Sequence, residues 1–90
     1  MYYMLISRTR QNLSAEDYGK LGQLAQAFYD NIPAGLTLHG DWAAQDGSRT
    51  FALLETDNPE FLELIQSPFR PYVDMELFPV TPMSGWGKPV

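Results

Sequence analysis

Along the chain the spacing of apolar positions switches between the two periods of regular secondary structure. Tyr2 to Arg8 (YYMLISR) is a short apolar run closing in polar residues, which predicts a strand. Ser14, with Asp17 three residues on, forms a capping-box pattern that opens a helix. Tyr18, Leu21, Leu24, Ala25, Phe28 and Ile32 then recur at three- and four-residue steps, predicting one buried stripe. Gly19 and Gly22 cost that helix about 1 kcal/mol each relative to alanine. Both neighbour the stripe, so close packing on a sheet is the expected reason for them.

Pro33 and Gly35 end the helix. Leu36 to Gln45 predicts a second strand, and Asp46-Gly47 is a strong hairpin signal, because a tight turn needs positive φ values that these residues tolerate. Arg49 to Thr56 therefore returns antiparallel. A two-residue turn pairs Gln45 with Ser48, Trp42 with Phe51, Gly40 with Leu53 and His39 with Leu54; a bulge shifts this by one. Asp57-Asn58-Pro59-Glu60 starts a second helix. Its buried side is expected to be Phe61, Leu62, Leu64 and Ile65, and Ser67-Pro68 closes it. Tyr72 to Val80 is the last strand, where Pro79 points to a sheet edge or a strand end.

The order β-α-β-β-α-β is the split βαβ, ferredoxin-like order: an α+β fold with an antiparallel sheet ordered 4-1-3-2 and both helices on one face. Residues 1–80 form the expected single domain and 81–90 a C-terminal tail carrying Trp86. YYMLI and FALL on the central strands are apolar on both faces, yet the helices cover only one. A second copy, sheet against sheet about a two-fold axis, is the economical cover, so a homodimer is expected.

These elements, the hairpin LHGDWAAQDGSRTFALLETDNPE and the ending VDMELFPVTP resemble the dimeric α+β-barrel superfamily. Within it the chain is most similar to a group of short bacterial proteins known only as a domain of unknown function. Gly40, Asp41, Trp42, Phe51, Ala52, Glu55, Asp57 and Pro59 carry that pattern, and the likeness runs from Tyr2 to Thr81. The resemblance implies a ligand cleft between sheet and helices or in the barrel interior. The wider superfamily includes cofactor-independent monooxygenases, small cyclases, haem-degrading enzymes and stress-responsive dimers. No set of catalytic residues carries over position by position, and fold alone brings no chemistry.

Composition narrows the chemistry. Ninety residues make one domain with a modest core, and the absence of cysteine with a single histidine leaves too few parts for a thiolate or zinc site or a catalytic triad. No metal or cofactor is expected. A net charge of −5 argues against a nucleic-acid partner. No stretch reaches the roughly 20 apolar residues of a membrane span. A reducing cytoplasm fits a chain without disulfides.

Strict alternation on the second strand puts Leu36, Leu38, Gly40 and Trp42 toward the helices, and Thr37, His39, Asp41 and Ala43 toward the partner sheet. His39, Asp41 and Glu76 are the candidate catalytic residues. In a two-fold barrel the partner's Glu76 approaches His39, and a carboxylate beside imidazole makes a general base. The simpler reading is a histidine hydrogen-bonded at the interface or solvated at an edge. Arg8, Arg10, Arg49 and Arg70, four of the six basic residues, fall at one end of the sheet near Trp42 and Tyr72, and together they suit a carboxylate or phosphate ligand. Ion pairs with Asp41, Asp46 and Asp74, with Arg70 complementing the second helix's end, are the simpler account of them. Trp42 reads as core with Phe51, Tyr18 and Phe28, or as a stacking platform for an aromatic ligand. Two functions stay open: a dimer binding a small acidic or aromatic molecule or serving as an interaction module, and a cofactor-independent monooxygenase or cyclase-like enzyme with His39 as base.

Overall fold

The structure, a computed structural model, describes residues 1–83. Its elements are β1 (Tyr2–Thr9), α1 (Ala15–Asp30), β2 (Leu36–Ala43), β3 (Thr50–Thr56), α2 (Glu60–Gln66), a 3₁₀ turn (Ser67–Phe69) and β4 (Val73–Val80). The four strands form one antiparallel sheet ordered β2-β3-β1-β4, the expected order read from the other edge. Local signals set the helix ends. The Ser14 hydroxyl accepts from the Asp17 amide at 3.1 Å, and the Asp17 carboxylate accepts from the Ser14 amide at 3.4 Å, so both arms of the capping box are present. At α2 the cap is one residue early: Asn58 Oδ1 accepts from the Glu60 amide at 3.1 Å.

The core is Leu5, Leu36, Leu54, Leu62 and Ile65, with Leu54 at 0% exposure. Leu62 and Ile65 belong to α2. Helix α1 contributes no fully buried residue: Leu21, Leu24, Ala25 and Phe28 are half-buried and Tyr18 is exposed. The stripe is therefore real in direction but only partly covered. Close packing does not explain Gly19 and Gly22, because a methyl on either would meet nothing within 4 Å. Leu64, expected in the core, is 60% exposed.

The β2–β3 hairpin keeps the predicted Trp42–Phe51 and Gly40–Leu53 pairs but reaches them through a wider turn. Ala44 N–H donates to Arg49 O and Gly47 N–H to Ala44 O, both at 2.9 Å. Asp46 Oδ1 takes the Ser48 amide at 2.9 Å, and Gly47 supplies the positive φ of +75°. Beyond Gly40 the ladder slips: Leu38, not His39, faces Leu54, and His39 is the extra residue of a β-bulge.

That single inserted residue reverses the facing of the strand beyond it. Leu36 and Leu38 face the helices as expected. Gly40 and Trp42, opposite Leu53 and Phe51, now belong to the open face, whereas Asp41 and Ala43, opposite Ala52 and Thr50, turn toward the helices. Strict alternation had assigned all four the other way. Trp42 is accordingly 57% exposed and no part of the core. Its indole lies back over Gly40, where a Cβ would come within 2.8 Å of the ring and push it aside.

Candidate functional site

Because α2 carries the core and α1 stands off, the helix side of the sheet holds a cleft of about 420 Å³ beneath α1. Leu21, Ala25 and Phe28 of α1 form its roof, and Ser7, Thr50 and Ala52 part of its floor. At its mouth the Tyr29 hydroxyl donates to Asp41 Oδ2 and bridges the end of α1 to β2. The hydrogen bond to Asp41, partial burial and the nearby negative charge all raise the pKa of the Tyr29 phenol above its ordinary value. The phenol therefore stays a donor through neutral pH.

The opposite face of the sheet is apolar at its centre, with Met4, Ile6, Phe51 and Leu53 in cross-strand register and Trp42 and Phe78 toward its edges. Tyr2, Met4, His39 and Leu53 border a second hollow there, of about 470 Å³. His39 Nε2 lies 2.7 Å from Glu55 Oε1 on the neighbouring strand, and the Tyr2 ring tilts against the imidazole at 5.4 Å between centroids. The carboxylate beside His39 within the subunit is thus Glu55.

The expected constellation of His39, Asp41 and Glu76 is not assembled within the chain. Asp41 lies on the helix side, and Glu76 is on the opposite edge strand, three strand spacings or about 14 Å from β2. The arginines share one end of the sheet but not one site. Arg10 Nε binds Asp74 Oδ1 at 3.2 Å, and Arg70 grips Glu63 with both terminal nitrogens, Nη2 to Oε2 at 2.7 Å. That grip holds the Glu63 carboxyl below its usual range. Arg8 faces Asp74 across the open side, and Arg49 follows the turn beside Asp46, whose carboxyl Ser48 holds low. Tyr72 is half-buried, and its carbonyl takes the Arg10 amide at 2.9 Å. Neither hollow is bordered by any of these four arginines or by Tyr72.

Two participants escaped the sequence reading. Tyr29 lies four residues beyond Ala25 and eight beyond Leu21, a helical spacing that could have flagged it. Glu55 left no such signal, because without the bulge it pairs with Leu38 and faces the helices. Among the described residues no three His, Cys, Asp or Glu side chains are grouped to hold a metal ion, and no helix is long and apolar enough to cross a membrane. Trp86 lies outside the described residues.

The model of the family DUF3303, a domain of unknown function, matches residues 1–89, and the chain belongs to that family. Among solved structures, SCO4226 from Streptomyces coelicolor A3(2) superposes with a TM-score of 0.52 at 15% identity, over 89% of this chain and 95% of that one. A Deinococcus radiodurans protein, provisionally called an antibiotic biosynthesis monooxygenase, gives 0.48 at 14% identity over 90% and 93%. At 15% identity the likeness to SCO4226 speaks for the ferredoxin-like fold alone. No curated protein matches the sequence.

Proposed function

We propose that this member of the DUF3303 family is a binding domain for a small apolar or aromatic molecule, lodged in the cleft beneath α1, and that it works as a homodimer closed through the open sheet face. The cleft carries this reading. Its volume of about 420 Å³ falls within the roughly 300–1,000 Å³ of ligand pockets, and its lining is mainly apolar with one polar pair at the mouth. A helix with only half-buried apolar residues gains burial when the cleft fills, at about 25 cal/mol per Å² of apolar surface removed from water.

The reading for an acidic ligand drew on arginines that border neither hollow, so the apolar one is preferred. The enzymatic reading needs its base near the bound molecule, and His39 is on the far side of the sheet from the cleft. For the dimer, the support is the apolar centre of the open face, which a second copy would remove from water.

Titration with the neutral two-ring alcohol 2-naphthylmethanol, followed by backbone amide shifts, tests the cleft. Perturbation of Ala25, Phe28 and Thr50, abolished by Ala25→Phe, is the expected result. Shifts confined to Met4 and Leu53 on the open face would overturn it. Light scattering tests the dimer separately, and a stable monomer at micromolar concentration would sink that part.

A further inference from the structure

Among the described residues bordering the cleft, Asp41 is the sole charged side chain; the others are apolar or carry a hydroxyl, apart from Trp42 with its indole N–H. Its facing is a product of the bulge at His39, which turns it away from the open face and into the mouth. One carboxylate oxygen, Oδ2, takes the Tyr29 hydroxyl, and Oδ1 takes no hydrogen bond from a described side chain. The pair thus carries one negative charge, held in place from the helix side, with an acceptor to spare.

From this geometry we infer that Asp41 is the specificity-determining residue of the cleft: it selects apolar molecules bearing a protonated amine over those bearing a carboxylate, with Tyr29 as the positioning residue that holds the carboxylate at the mouth. The inference rests on the cleft being the binding site, as proposed above. An ammonium group seated at Oδ1 gains a charge-assisted hydrogen bond while its ring occupies the apolar interior. A carboxylate in the same seat meets a like charge with no arginine, lysine or histidine bordering the cleft to offset it. The Tyr29 phenol, held protonated by its neighbour, cannot add a second negative charge near neutral pH.

The test uses three probes on one ring system, 2-naphthylmethylamine, 2-naphthylmethanol and 2-naphthoate, with dissociation constants measured at about 0.15 M ionic strength. Asp41 is exposed, so the expected effect is modest: the amine binds about fivefold more tightly than the carboxylate, the ratio of a surface ion pair near 1 kcal/mol. Asp41→Asn brings the ratio near unity and leaves the alcohol within about twofold. Asp57→Asn removes a carboxylate that pairs with the N-terminal amine and does not border the cleft, and it leaves the ratio as in the wild type, which separates Asp41 from the general field of an acidic protein. Tyr29→Phe keeps the charge but frees the carboxylate, so the preference narrows without reversing; an unchanged ratio removes Tyr29 from the positioning role. If Asp41→Asn retains the preference, or Asp57→Asn erases it equally, the selectivity inference is overturned while the cleft stands. If none of the probes binds, the cleft fails and the inference fails with it.

Discussion

Truncating one leucine on each helix tests the division of the helix layer into a packed half and an open half. Leu62 of α2 is 3% exposed in the core, whereas Leu21 of α1 is half-buried over the cleft. Leu62→Ala removes the transfer free energy of the side chain and also leaves a void that its neighbours fill only in part, a loss of about 3–5 kcal/mol. Leu21→Ala widens a cleft that already exists, so the cavity contribution is absent and partial burial leaves about 1 kcal/mol. In a domain of this size each kilocalorie moves Tm by roughly 4–8 °C, which predicts drops of about 12 °C or more for Leu62→Ala and about 4–8 °C for Leu21→Ala. Thermal and urea melts followed by circular dichroism, at one fixed protomer concentration because association shifts apparent stability, provide the measurement. Equal losses would refute the reasoning, since they would mean that α1 is packed as tightly as α2.

Gly19→Ala and Gly22→Ala, singly, raise stability by up to about 1 kcal/mol, because alanine favours the helix and a methyl at either site meets no neighbour; a fall in Tm for both would contradict the observed stand-off. With its folded pKa raised above the unfolded phenol value near 10, Tyr29 contributes stability that is complete below about pH 10 and is lost as pH rises through the folded value. Ultraviolet titration of tyrosinate therefore shows a late phase that Tyr29→Phe removes and Asp41→Asn moves to lower pH. His39→Ala leaves 2-naphthylmethanol affinity within about twofold, since the imidazole is on the other face of the sheet; a larger loss links the two faces. Leu53→Arg places a charge in the centre of the open face and yields a folded monomer by light scattering and circular dichroism; a dimer that survives it does not use that face.

The ferredoxin-like order could be read from the chain because each element announces itself locally. The capping box at Ser14 and Asp17, the stripe from Leu21 to Phe28, the Asp46-Gly47 turn and the apolar central strands each depend on residues a few positions apart. The hairpin pairs Trp42–Phe51 and Gly40–Leu53 follow from the turn alone. What misled was alternation carried past His39. A bulge adds one residue without changing composition, and its one local companion, Gly40, also suits a close approach of another group, here the Trp42 ring.

By itself, then, the sequence determined the elements, their order, the apolar direction of each helix and the family pattern, all of which rest on short-range periodicity and turn chemistry. Tertiary structure alone decided that Asp41 meets Tyr29 while His39 meets Glu55, that Trp42 lies on the open face, and that α1 stands off to leave a cleft where α2 buries a core. The physical reason is that periodicity says which side of an element is apolar but not how closely it is covered. A one-residue change in pairing register reverses every side chain beyond it.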